Sequence, residues 1–247
     1  MYSNYNKREF VHPDPLEFLY NYDNLLDREI VGFIASSLAY GRVNQILKSV
    51  HAALEPMGKS PRLFVEKVSS TRLLECYGNF KHRFTTGLEL AQVIEGVKVA
   101  LSEYGTLNAV YVEGLAGGDV QTAMGKLSSL LKCQCSLPNV SMVPSPDKES
   151  ACKRLCLFLR WMVREDDVDP GGWTGVARSQ LLIPLDTHMH SISKKLGLTS
   201  RNQANMKTVI EITEAFRKFQ SEDPVKYDFC LTRFGIHPEI SKKDIDF

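Results

Sequence analysis

Apolar residues along this chain recur at steps of three and four, the spacing that lines one face of an α-helix. From Asp27 to about Leu54 they fall at Ile30, Phe33, Ile34 and Leu38, then at Val43, Ile46, Leu47, Val50 and Leu54. Gly41 interrupts this pattern, which predicts two helices joined near Ala39-Tyr40-Gly41-Arg42. The same period runs through Pro61 to Val68, Gly87 to Tyr104, Thr106 to Leu115 and Val120 to Leu131. The last of these follows Gly117-Gly118-Asp119, a turn whose aspartate suits an N-cap. A helix is also expected from Asp147 or Ser150 to Arg164, closed by the acidic turn Glu165 to Gly172, with two more over Gln203 to Phe219 and Pro224 to Phe234. His82-Arg83-Phe84 reads as a boundary ahead of the Gly87 helix. Strand signals are nearly absent, so the expected fold class is all-α.

Between these helices, residues 132–147 carry three prolines and little periodicity. They form the one loop long enough to be functional or to separate subdomains. The 247 residues suffice for one large domain or two modest ones, and 43% hydrophobic with 24% charged residues is globular composition. A net charge of +1 excludes a global basic field, so any affinity for nucleic acid must come from a local patch. No segment approaches the ~20 apolar residues of a membrane span. The N-terminal MYSNYNKREF lacks an apolar signal core. With cysteines scattered at 76, 133, 135, 152, 156 and 230, these features predict a cytoplasmic protein with reduced thiols and no structural metal.

The densest chemistry lies between Leu181 and Leu198. An apolar run, Leu181, Leu182, Ile183 and Leu185, delivers Asp186 to the start of a helix that should stop at Gly197. Burying an acid beside such residues costs several kcal/mol unless it is compensated. A helix N-terminus compensates it with unpartnered N–H groups and the positive end of the dipole. Asp186 is therefore a cap, a placed catalytic carboxylate, or both. His188 and His190 follow, but residues two apart on a helix point in different directions and do not share a metal easily.

Two neighbouring segments each carry two readings. Along Ser150 to Arg164, Leu155, Leu159 and Met162 form a core face, while Lys153, Arg154, Arg160 and Arg164 are cationic. Those cations are either a solvated face or contacts to phosphate. Gly171-Gly172-Trp173 is either a plain helix stop or a backbone cradle for an anion, and the acids just upstream favour the plain turn.

The run Ile183-Pro184-Leu185-Asp186-Thr187-His188, continuing to Lys194-Lys195-Leu196-Gly197-Leu198, resembles the catalytic-aspartate motif of the helix-hairpin-helix DNA glycosylase superfamily. Phe33 to Ser37 with Gly41-Arg42-Val43-Asn44 is similar to its helix-loop-helix that wedges DNA, and Lys226 to Gly235 to its closing helix. Across nearly the full length, the HPDP start, DREIVGFIASSLAYGRV, SACKRL, FLRWMVR and IPLDTH are similar to the bacterial domain-of-unknown-function family 2400.

The glycosylase resemblance implies two helical subdomains with a cleft between them. One spans about residues 28–172, and the other is formed by about 1–27 with 173–247. It further implies DNA as partner, RNA being the alternative, no cofactor, and Asp186 as catalytic carboxylate. Nucleic-acid contacts are implied at Ser37, Tyr40 and Arg42, at Lys153, Arg154 and Arg160, at Gly171, Gly172 and Trp173, and at His188. Tyr40 is expected to stack on a base. The chain departs from the pattern in three places. No lysine occurs between Lys153 and Lys194, where bifunctional relatives carry a hairpin nucleophile. The hairpin is shortened to Pro170-Gly171-Gly172-Trp173 and lies close to Asp186. No cysteine follows Cys230, so the four-cysteine iron–sulfur loop of some relatives is missing. The expectation is a monofunctional, water-using glycosylase. The alternative is a non-catalytic DNA- or RNA-binding protein in which Asp186 only caps a helix.

Overall fold

The computed structural model describes residues 2–148 and 150–236. Its helices are α1 (Tyr2–Tyr5), α2 (Leu25–Ser37), α3 (Val43–Leu54), α4 (Pro61–Lys67), α5 (Ser70–Tyr77), α6 (Gly87–Tyr104), α7 (Leu107–Ala116), α8 (Val120–Leu131), α9 (Lys153–Val163), α10 (Thr187–Lys195), α11 (Met206–Arg217) and α12 (Asp228–Ile236). Two short strands, β1 (Lys81–His82) and β2 (Thr85–Thr86), pair antiparallel between α5 and α6. The fold is all-α apart from this hairpin. Among the described residues no helix is long and apolar enough to cross a membrane.

The chain divides into two compact units, Asp14–Ser145 and Met1–Pro13 with Pro146–Phe247. The borders thus fall at 13/14 and 145/146 rather than near 27 and 172. The 3-10 turn Pro15–Asn21 buries Pro15, Leu16 and Leu19 and packs on α2, which draws it into the first of these units. The segment 146–172 joins the other, with Arg160 of α9 ion-paired to Asp228 and Arg164, just after the helix, to Asp223. Residues 237–247, expected in the second subdomain, lie outside the described residues.

In the Asp14–Ser145 unit, α2 is buried around almost its whole circumference, the mark of a central helix. Its start lies two residues ahead of Asp27, because Asn24 is the cap and accepts from the Leu26 N–H at 2.8 Å. Asp27 is thereby released for a distant task, accepting from Arg62 N–H (2.8 Å) and Ser60 Oγ (2.9 Å) at the start of α4. Glu29 does the same for α7, taking the N–H groups of Leu107 and Asn108, both at 2.9 Å. These donors have no partner within their own helices, so the buried acids and the helix ends satisfy each other. Asp119 caps α8 through Thr122 N–H at 2.8 Å, as its place in the sequence predicts. The proline-bearing loop is pinned on the same unit, where Glu89 accepts from Ser141 Oγ and Met142 N–H.

In the other unit α9 supplies Leu155, Phe158, Leu159 and Met162 to a core that also holds Val209, Ile212 and Phe216 of α11 and Phe229 of α12. Its helix begins three residues after Ser150. Cys152 stands at φ 47° ahead of it, and Ser150 bridges instead to Asn205. α10 packs against α12.

Candidate functional site

Leu181, Leu182, Ile183 and Leu185 are all buried, and the Ile183 N–H donates to Thr213 Oγ1 at 3.1 Å. This fixed apolar floor ends at Asp186, whose extended backbone turns directly into α10. Oδ1 of Asp186 accepts the Met189 N–H at 2.8 Å, so the residue is the N-cap of the helix. At the other end Gly197, at φ 69°, stops α10 where expected, with Leu198 N–H closing back on Ser193 O at 2.8 Å.

Oδ2 of Asp186 pairs with Lys153 Nζ at 3.2 Å. Lys153 is the first residue of α9, and linear spacing gave no sign that it reaches this carboxylate. The Lys153 side chain retains 31% exposure and that of Asp186 16%, so the pair is partly exposed. Arg154 is half-buried on the same turn, and His188 is exposed on the first turn of α10. His190 turns away to Arg201 O at 2.9 Å. Among the described residues no group of three His, Cys, Asp or Glu is placed to hold a metal.

Behind this pair lies a buried ionic network that revises the reading of α9. Arg160 is 4% exposed, with its guanidinium on Asp169 (3.1 Å) and Asp228. Arg164 is likewise buried and pairs with Asp166 (2.8 Å), Asp169 and Asp223 (3.0 Å). Arg160 is therefore a core residue, not a phosphate contact. Burial pushes Asp228 up to about 6, against the pull of Arg160 and with the Asp186 charge adding to the rise. Burial also works against ionised Asp166, yet Arg164 and the N–H groups of Asp169 and Val168 bring that carboxyl down to about 2.

Gly171 and Trp173 are committed to structure as well. The Gly171 N–H donates to Trp161 O (3.0 Å) and the Trp173 N–H to Met162 O (2.8 Å), which satisfies the last carbonyls of α9. A Cβ on Gly171, at φ 61°, would lie 2.7 Å from Arg164 O. Trp173 is buried edge-on against Phe158 at 5.1 Å. The plain turn holds for these residues, and Gly172 at φ 114° belongs to the same turn.

In the Asp14–Ser145 unit the expected wedge loop also divides. Ser37 is buried, and Arg42 is exposed ahead of α3. Tyr40 braces the β1–β2 hairpin. Its hydroxyl donates to His82 O at 2.8 Å and lies 2.8 Å from Thr85 Oγ1, while its ring meets His82 edge-on at 4.5 Å. That ring is spoken for, which removes it as a stacking platform. An aromatic side chain that this unit does offer to solvent is Phe84, 71% exposed at the hairpin tip. An aromatic flanked by basic residues in Lys81-His82-Arg83-Phe84 was the available sequence signal.

No curated protein and no solved structure matches the chain. Residues 14–237 match the family described as proteins of unknown function, DUF2400, and the chain belongs to that family.

Proposed function

We propose that this chain binds nucleic acid and hydrolyses the N-glycosidic bond of a base flipped out of a DNA duplex, with Asp186 as the carboxylate at the sugar. The observation that carries the reading is the division of Asp186 between two tasks. Oδ1 is fixed by the Met189 N–H, while Oδ2 sits beside the Lys153 side-chain nitrogen in a partly exposed pair. A carboxylate so held is oriented without waiting for substrate.

Flipping the nucleotide costs a few kcal/mol. The C–N bond then breaks with its electron pair leaving on the base, and water forms the new bond to the sugar carbon. The proton that water gives up is taken by the departing base. Asp186 stabilises the oxocarbenium-like sugar and orients the water. Arg154 and His188, on the first turns of α9 and α10, serve as contacts for phosphate. Lys153 acts here as counter-ion to Asp186, so the reaction is hydrolysis without a covalent sugar–protein link. The second reading, a non-catalytic DNA or RNA binder, is favoured by the same Met189 bond, since capping alone accounts for it.

A base-release screen over duplexes bearing varied damaged bases, run with wild type and Asp186→Asn, tests the proposal. Release from one lesion by wild type and none by the variant, with DNA binding and Tm kept, is the expected result. No release from any lesion, with salt-dependent binding intact, replaces it with the binding-only reading.

A further inference from the structure

The β1–β2 hairpin has the construction of a presentation device. Its turn residues are Arg83 and Phe84, and Arg83 takes φ 52°, at a position where two-residue hairpin turns favour glycine. A left-handed conformation is unfavourable for an arginine, because its Cβ crowds the backbone. The frame beneath is fixed. His82 is fully buried, with Nδ1 2.9 Å from Ser49 Oγ and Nε2 3.0 Å from Tyr40 O. Gly41, at φ 104°, leaves room for the Arg83 side chain, because a Cβ there would sit 2.9 Å from Arg83 Cδ. On this frame the Arg83 guanidinium lies 5.6 Å from the Phe84 ring and 5.9 Å from the Tyr40 ring. Arg42, Lys81 and Arg83 are all exposed.

We infer that Phe84 stacks on an unpaired base of single-stranded nucleic acid while Arg83, Arg42 and Lys81 hold the adjoining phosphates. An exposed ring beside cations is how sequence-tolerant single-strand binding works, since every base has a π-face and every linkage a charge. A lipid surface is the weaker occupant, because one ring offers little apolar area to insert. The braced hairpin removes the ordering cost that a mobile aromatic would carry into binding. The inference rests on the nucleic-acid-binding reading above and makes no use of Asp186.

The test uses the full chain and anisotropy of labelled oligo(dT), oligo(U) of equal length, and a blunt duplex. Phe84→Ala is expected to weaken single-strand binding about tenfold, the loss of one base–aromatic stack, and to leave duplex binding and Tm unchanged. Phe84→Trp should keep the affinity, with its new emission quenched by the bound strand. Arg83→Gly should hold or raise Tm while binding falls, which separates the fold from the contact. The oligo(dT) to oligo(U) ratio tells DNA from RNA. Equal single-strand affinity for wild type and Phe84→Ala overturns this inference and leaves nucleic-acid binding standing. No binding to any strand overturns both. Phe84-dependent binding to anionic phosphatidylserine vesicles, with none to oligonucleotides, assigns the tip to a membrane and overturns both as well. Phe84-dependent binding without any base release supports the present inference alone.

Discussion

Lys153 and Asp186, on the first turn of α9 and at the cap of α10, meet at 3.2 Å through the ends of two helices that are remote in sequence. The contact gives Asp186 a partner besides its helix and separates two roles that one substitution would otherwise confuse. Asn caps a helix as well as Asp does, whereas Ala does not. Asp186→Asn is therefore expected to keep the wild-type melting temperature within a degree or two and to lose base release. Asp186→Ala should lose about 1 kcal/mol of stability as well. Thermal melts alongside the release assay check both, and an equal stability loss in the two variants would assign Oδ2 to the fold.

Removing the lysine tests the counter-ion role. The pair is partly exposed, so Lys153→Met should cost under about 1 kcal/mol in a urea titration. Borohydride added during turnover should trap no adduct on wild type. A trapped adduct that disappears in Lys153→Arg would make the lysine a nucleophile and replace hydrolysis with a Schiff-base route.

Asp228 gives a pH dependence with a definite sign. Its folded-state value of about 6 lies above the ordinary carboxyl value of 3.8, so the folded protein holds a proton there that the unfolded chain has released. That contribution is fully present below about pH 4 and is lost as pH rises to about 6. Asp228→Asn, which stays neutral, should match wild type near pH 4 and gain in Tm relative to it up to about pH 6, above which the gain is constant. A gain that shrinks with rising pH would mean that the Arg160 ion pair outweighs the burial of the charge.

The turn after α9 is equally open to test. Gly171→Ala places a methyl group at φ 61°, 2.7 Å from Arg164 O. Strain and clash together should cost about 2 kcal/mol or more, read as a lower urea midpoint. Binding to DNA by the fraction that remains folded should be unchanged, because the turn's N–H groups serve α9 and not phosphate.

How much of this was legible in the sequence follows from the range of each interaction. α4, α6, α7 and α8 lie within a residue or two of their periodic runs, because each presents a sustained apolar stripe and opens with a Ser, Thr or Asp cap. α5 was missed because only Leu73 and Tyr77 of its eight residues are buried, too few to set a period. The hairpin was missed because two-residue strands show no alternation, and it is held by His82 and Tyr40 side chains. The cap at Asp186 is legible from its local setting, but its pairing with Lys153 is not, since linear spacing does not register a contact between helices. Arg160 was misplaced by treating cations on α9 as surface. Its counter-charges are the buried Asp169 and Asp228, while Asp166, Asp169 and Asp223 are those of Arg164.

The two acids that α2 lends to its neighbours tie three parts of the chain to one fate. The amides of Arg62, Leu107 and Asn108 are bonded to Asp27 and Glu29, so the first turns of α4 and α7 keep those bonds only while α2 is in place. Fraying at either start is therefore not a local event. Hydrogen exchange at those amides should track the opening of α2, joining segments far apart in sequence into a single cooperative foldon.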